Sequence, residues 1–418
     1  MEKLKIGEIC SINPRQNDNI PENSEISFIP MAAVSTNGQV DLSDTLESSK
    51  VKNYTVFRNG DVLFAKITPC MENGKGAIVH NLANGYGAGS TEFIVLRPNA
   101  DMITAKWLYL YLSQRSFRWE CQQHMTGSAG QKRVPPKYLA SCEIPVPPVS
   151  EQERIVSKME ELFSKLDTSV AELKTAKEKL KVYRQVVLKE AFEGKFTKHE
   201  KIDVDLKWAS PKEVMTLPSI PHEWKYISLS KLGDLGRGKS KHRPRNDAVL
   251  FENGKYPFIQ TGDVKAARRY ITTYSQKYNE MGLEQSKLWP EGTLCITIAA
   301  NIAETAFLGM DACFPDSIVG FTPFEYVSPE YIKHFIESQK VRLWTFAPAT
   351  AQKNINLQTL EKLIVPYCSL TEQHEVIAEI EMRMTICDNI ENTIDTSLQQ
   401  AEALRQSILK QAFEGRLN

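Results

Sequence analysis

Arg184-Gln185-Val186-Val187-Leu188-Lys189-Glu190-Ala191-Phe192-Glu193-Gly194 is written again 221 residues later as Arg405-Gln406-Ser407-Ile408-Leu409-Lys410-Gln411-Ala412-Phe413-Glu414-Gly415, with eight of eleven positions identical. At the same shift Pro145 meets Pro366 and Glu151-Gln152 meets Glu372-Gln373, so the register holds over nearly all of Ser150 to Thr197. A duplicated segment of this length implies a duplicated architecture.

Each copy reads as one long helix. Pro145, Pro147 and Pro148 stop what precedes, Ser150 is the expected N-cap, and Glu153 completes a capping box. Apolar residues then recur in steps of four and three at Ile155, Met159, Leu162, Leu166, Leu173, Ala176, Leu180, Tyr183 and Val187, with Ser169 the polar member and Gly194 the stop. In the second copy Thr371 is the expected cap, and Val376, Ile380, Cys387, Ile390, Ile394, Ala401, Leu404 and Ile408 form the stripe, interrupted by Arg383 and Ser397 and closed by Gly415. At 1.5 Å per residue such a helix is roughly 60 to 65 Å long. One apolar stripe of that length needs a partner of similar length, and the other copy is the economical one. Packing between them is expected from Ile155, Met159, Leu162, Leu166, Leu173, Leu180 and Val187 against Val376, Ile380, Ile390, Ile394, Leu404 and Ile408.

With 418 residues, 42% of them apolar, the chain has material for two or three domains with real cores. No apolar run is long enough to span a bilayer, and Met1-Glu2-Lys3-Leu4-Lys5 does not open a signal sequence. Eight scattered cysteines, with no Cys-x-x-Cys pair and no zinc-like histidine spacing, read as reduced, cytosolic thiols. Lysine plus arginine and aspartate plus glutamate balance at 51 each, yet Lys225 to Lys287 holds thirteen basic and six acidic residues. The excess gathers in Arg237-Gly238-Lys239-Ser240-Lys241-His242-Arg243-Pro244-Arg245.

Residues 1–143 read as an α+β unit, with β-rich runs at 27–30, 60–67, 76–79 and 91–96 and a helical pattern from Ala105 to Cys121. Residues 222–364 repeat that order loosely, with shifts of about 224 to 232 that close to 221 where Gln131-Lys132-Arg133-Val134 meets Gln352-Lys353-Asn354-Ile355. The long helices fall at 150–195 and 371–416, and polar, proline-containing 198–221 reads as a linker. Helices kept alike while globular parts diverge fit a common partner for the helices and a separate target for each globular unit.

Gly233-Asp234-Leu235-Gly236-Arg237-Gly238-Lys239-Ser240 satisfies the phosphate-loop pattern and opens an alternative reading as a nucleotide-binding enzyme or nuclease. That loop works only between a buried strand and a helix N-terminus, and Pro244 argues against the helix. As a flexible basic loop, Lys239, Lys241, Arg243 and Arg245 instead suit DNA phosphates. Thr126-Gly127-Ser128-Ala129-Gly130-Gln131-Lys132-Arg133 and Ala349-Thr350-Ala351-Gln352-Lys353-Asn354 combine small residues with side chains that bond base edges or phosphates. Gln260 and Thr261 are further candidates. A catalytic constellation is not legible: the histidines lie apart, no nucleophile elbow is present, and there is no methyltransferase tetrapeptide.

In order and duplication, Leu63-Phe64-Ala65-Lys66-Ile67-Thr68-Pro69-Cys70-Met71-Glu72-Asn73-Gly74-Lys75-Gly76, Gly127 to Arg133, Ile144 to Pro148 leading into Glu151-Gln152, and Tyr256 to Val264 resemble the specificity subunit of type I restriction-modification systems over nearly the whole chain. The resemblance implies two small α/β target-recognition domains joined by two long antiparallel helices in an internal pseudo-twofold repeat. It implies a non-catalytic, cytoplasmic DNA reader without a cofactor, each domain reading half of a split double-stranded target. Its implied partners are two methyltransferase subunits docked on the helices and a restriction and motor subunit. DNA contacts are then expected at Lys66, Thr68, Gln131, Lys132, Arg133, Lys239, Lys241, Arg243, Arg245, Gln260, Thr261, Lys353 and Asn354.

Overall fold

A computed structural model of the chain describes residues 1–14, 20, 23–128, 130–202, 204, 206–210, 215, 217–346 and 354–417. Ala129, residues 349–353, including the expected contact Lys353, and part of the 198–221 segment lie outside the described residues. The chain divides into two units, one made of Met1–Lys174 and Ile394–Asn418 and the other of Thr175–Thr393. Two 44-residue helices, Val149–Phe192 and Leu370–Phe413, each contribute to both units.

In the first unit two four-stranded sheets share one chain. One has the order Cys10–Ile12, Phe93–Pro98, Val62–Ala65, Gly76–Ile78, antiparallel throughout. The other has the order Thr45–Glu47, Glu25–Ile29, Tyr86–Gly89, Thr55–Arg58, with its central pair parallel. The period of two in Val62-Leu63-Phe64-Ala65 explains how both are served: Val62 and Phe64 enter the core shared with the helices, while Leu63 and Ala65 enter a second core. All four residues are therefore buried, and the stretch reads as a continuous apolar run.

The second unit has the same strand order. Gly233–Arg237, Ile318–Pro323, Leu294–Thr297 and Thr305–Leu308 repeat the first sheet, with Tyr270–Ile271 added in parallel at the edge. Gln276–Tyr278, Tyr256–Phe258, Ala312–Cys313 and Leu288–Trp289 repeat the second, again with a parallel central pair. Leu294 and Ile296 face one core and Cys295 the other, as in the first unit.

Polar hubs and aromatic contacts repeat as well. Gln152 receives the Thr104 N–H (2.9 Å) and donates to the Met102 and Pro147 carbonyls (2.8 Å each). Gln373, its duplicate, receives the Ser328 N–H (2.8 Å) and donates to Tyr326 (3.3 Å) and Cys368 (3.0 Å). Both glutamines are fully buried, and each satisfies three backbone groups that are buried or partly buried. Phe413 lies against Trp107 and Tyr111, with ring centroids 4.4 and 5.1 Å away. Phe192 lies against Tyr331 and Phe335 at 5.1 and 5.3 Å.

Between the helices the seam is partly ionic. In the second unit Lys177 pairs with Glu391 (3.5 Å) and Arg184 with Asp388 (2.7 Å) and Glu391 (3.0 Å), an antiparallel register. In the first unit Arg405 pairs with Asp167 and lies 4.6 Å from the Phe163 ring. The Arg405–Asp167 pair is the Arg184–Asp388 pair moved by 221 residues.

Several sequence expectations are corrected. Ile390 and Leu404 are 45% and 51% exposed, because the neighbouring Glu391 and Arg405 occupy the seam with their ion pairs. Tyr183, the duplicate of Leu404, is exposed for the same reason. The helices start before Ser150 and Thr371: the Pro148 carbonyl accepts the Glu151 and Gln152 N–H groups, and the Ser369 hydroxyl caps Glu372 N–H at 3.2 Å. Their ends fall as expected, with Gly194 and Gly415 at φ 72° and a 6→1 bond from Lys195 to Glu190 and from Arg416 to Gln411. The helical pattern from Ala105 to Cys121 is broken into Ala105–Leu112 and Arg115–Gln123, because Gln114 adopts an extended conformation.

Candidate nucleic-acid interface

The strand Val62–Ala65 runs out into the loop 66–75, and residues 131–134 fold back beside it. Val134 N–H donates to the Lys66 carbonyl (2.9 Å) and Thr68 N–H to the Lys132 carbonyl (3.0 Å), so residues 66–68 and 131–133 form one short ribbon. Lys66, Thr68, Gln131, Lys132 and Arg133, far apart in sequence, thus come together. Gly127, at φ 123°, allows the return: a Cβ there would sit 2.9 Å from the Gln131 carbonyl.

Three of these side chains are already engaged. Arg133 forks onto Glu92, with Nε 2.9 Å from Oε2 and a terminal nitrogen 2.8 Å from Oε1, and its other terminal nitrogen donates to the Gln131 carbonyl (2.9 Å). The Arg133 guanidinium holds the Glu92 carboxyl below its usual range, against partial burial. Lys66 Nζ donates to the Thr91 carbonyl (2.7 Å), and the Thr68 hydroxyl to Glu72 (2.5 Å). Gln131 and Lys132 are exposed, and among the described residues their side chains make no hydrogen bond or ion pair. Beside the ribbon Lys66 and Thr91 line an open cavity of about 300 Å³ with Asn13 and Thr55.

The second unit builds the same place with other residues. Ile355 N–H donates to the Ile298 carbonyl and Ile298 N–H to the Ser317 carbonyl, both at 2.9 Å, repeating Val134 to Lys66 and Lys66 to Glu92. Asn354 bridges to Ala299 where Arg133 bridges to Ile67. Lys66 is therefore replaced by buried Ile298 and Thr68 by Ala300. The basic loop lies against the same place: Arg245 pairs with Asp316 (2.7 Å), Arg237 Nε donates to the Asp316 carbonyl, and Gly238 N–H donates to the Ile318 carbonyl (2.9 Å). Arg243 turns back onto the Ser240 (2.7 Å) and His242 (2.8 Å) carbonyls, the Lys241 and His242 N–H groups donate to the Gln285 side-chain oxygen, and the Ser286 hydroxyl donates to the Lys239 carbonyl (2.8 Å), while the ammonium groups of exposed Lys239 and Lys241 make no hydrogen bond or ion pair among the described residues. Gln260 and Thr261 open the short helix Thr261–Ala266, from which Lys265 reaches Asn301 (3.5 Å) in the loop after Leu294–Thr297; Gln260 itself bonds Gln276 (2.6 Å).

The phosphate-loop pattern finds no support. Gly233 to Arg237 are paired residue by residue with Val319 to Pro323 as a strand, and residues 241–247, directly after Ser240, are not helical. No group of metal-ligating side chains occurs among the described residues, and no described helix is long and apolar enough to cross a membrane. Sequence reasoning missed Glu92 and Asp316. Their partners lie 41 and 71 residues away, and no local pattern announces such a pair.

A duplicated α/β unit with two long helices defines a class, and the family comparison agrees. The model described as type I restriction modification DNA specificity domain matches residues 1–178 and 221–400, and the chain belongs to this family. Among its relatives is the EcoAI specificity subunit of Escherichia coli, 46% identical over 159 residues, which are 37% of this chain and 26% of that one. The EcoEI subunit is 40% identical over 157 residues with the same coverages, so the matched stretch spans about a quarter of these relatives. The EcoKI subunit of E. coli K12 is 23% identical over 406 residues, 91% of this chain and 80% of that one. A solved structure from work on complex assembly and conformational transition of the type I R-M system superposes with TM-score 0.76 at 19% identity, covering 99% and 98% of the two chains. The HsdS subunit from Thermoanaerobacter tengcongensis gives 0.61, also at 19% identity, covering 99% and 97%. At these identities the structural matches establish the fold.

Proposed function

We propose that this chain is the sequence-reading subunit of a type I restriction-modification complex. Each globular unit, 1–143 and 222–364, reads one half of a split double-stranded DNA target, and 198–221 links the halves. The two long helices act as spacer and as the docking surface for methyltransferase subunits, one per half. The chain performs no chemistry itself; adenine methylation, ATP-driven translocation and cleavage belong to its cytoplasmic partners, which include a restriction and motor subunit.

One observation carries the reading: two units with the same strand order place different side chains at equivalent positions, Lys66 against Ile298 and Arg133 against Asn354. A common scaffold with divergent chemistry suits two different half-sites. Phosphate contact by Lys132, Lys239 and Lys241 would supply a salt-dependent part of the affinity.

The test is titration of a random-sequence duplex at several salt concentrations. Wild type binds with affinity that falls steeply as salt rises, and Lys239→Ala lowers that slope by about one phosphate. A chain that binds no duplex at any salt would overturn the reading.

A further inference from the structure

Glu92 and Asp316 occupy neighbouring steps of one structural place. Each lies just before the strand that sits second in the first sheet of its unit, Phe93–Pro98 or Ile318–Pro323. Each holds an arginine from a distant segment that carries the unpartnered donors: Arg133 beside Gln131 and Lys132, Arg245 beside Lys239 and Lys241. The arginines come from non-equivalent segments, the return ribbon in one unit and the inserted basic loop in the other. The same kind of tie has therefore been built twice by different routes.

We propose that these acid–arginine pairs are clamps that fix the reading segments, and that Glu92, Arg133, Asp316 and Arg245 are positioning residues for base selection in their own half-sites. This rests on the DNA-reading function proposed above. The Arg133 fork is the geometry in which a guanidinium spends paired donors on one carboxylate, leaving it little capacity for a guanine edge. Its remaining terminal nitrogen bonds the carbonyl of Gln131, so the clamp reaches the backbone of a residue whose side chain faces solvent. Arg245 acts at the base of its loop, where Asp316 also accepts Arg237 through its carbonyl. Holding Gln131 and Lys132, or Lys239 and Lys241, in one conformation lets a base be discriminated; loosening the tie leaves the charges in place and blurs their aim.

The experiment selects bound sequences from a randomised duplex library with the full chain, alone and with its methyltransferase subunit. Wild type enriches a two-part motif. Glu92→Gln blurs one part at least tenfold in enrichment and leaves the other sharp, while Asp316→Asn does the reverse. Neither changes the salt slope on random duplex, in contrast to Lys132→Ala. The charge-swapped pair Asp316→Arg with Arg245→Glu restores the sharp motif, because a tie made only by that ion pair works in either polarity; Arg133 also donates to the Gln131 carbonyl and admits no such swap. A glutamate at an arginine's place on the DNA would instead repel it. A sharp motif in Glu92→Gln and Asp316→Asn, or loss of binding in the swapped pair with thermal unfolding unchanged, would overturn the clamp. Wild type enriching no motif in either form would instead overturn the DNA-reading function.

Discussion

At the scale of single residues, what the chain does with a polar group depends on which partner the fold brings to it. Glu337 is held by Lys333 (2.6 Å), His334 (3.0 Å) and the Thr305 hydroxyl (3.0 Å). Burial opposes its charge, but the bonds to His334 and Lys333 prevail and lower its pKa to about 2. A folded-state value below the unfolded one gives stability that is complete above the unfolded pKa and is lost as pH falls toward 2. Glu337→Gln should therefore cost about 2 kcal/mol at neutral pH, and in urea titrations its deficit should shrink below about pH 4.5. A deficit independent of pH would contradict this assignment. Gln152 and Gln373 each join three backbone groups, so replacing either with alanine strands buried donors and acceptors and should cost about 2 to 3 kcal/mol by denaturant unfolding. These hubs were visible in the sequence only as a register mark, Glu151-Gln152 over Glu372-Gln373. Nothing local says that a glutamine at a helix start will find the Met102 or Tyr326 carbonyl, since that partner is set by tertiary folding. Arg133 was legible as a polar residue in a small-residue loop but not as one committed to Glu92, for the same reason.

Among elements, the two helices were legible almost to their ends. Heptad spacing and the terminal glycines act within a few residues, and local signals of this kind survive into the fold. The exceptions, Ile390 and Leu404, arise where a charged neighbour has a partner on the other helix. Because Arg184 and Arg405 occupy duplicate positions in separate units, Arg184→Ala and Arg405→Ala should each cost about 0.5 to 1 kcal/mol. Their effects should add to within about 0.5 kcal/mol in the double variant. Strong coupling in a thermal-unfolding cycle would contradict independent seams. If the helices act as spacer, removing one heptad from both shortens them by about 10 Å. That corresponds to about three base pairs at 3.4 Å each. The unread gap in the preferred target should then change, or binding should be lost; an unaltered gap would remove the spacer role. Strand order, unlike helix position, was legible only as a string of β-rich runs. The parallel pairing of Glu25–Ile29 with Tyr86–Gly89 joins residues about sixty apart, and a period of two says which face a residue takes but not which strand it meets.

At the scale of the whole molecule, the chain is one architecture written twice. The duplication explains why glutamine hubs, aromatic contacts and arginine–aspartate pairs recur at a shift of 221 to 224 residues. It also gives meaning to the differences, since Ile298, Ala300 and Asn354 stand where the first unit has Lys66, Thr68 and Arg133. The most direct measurement is methylation sequencing of DNA from cells carrying the methyltransferase partner with and without this chain. Two short specified blocks separated by a fixed unspecified gap, with modified adenines that vanish when the chain is absent, are the predicted result. A single continuous motif, or a pattern indifferent to the chain, would contradict it.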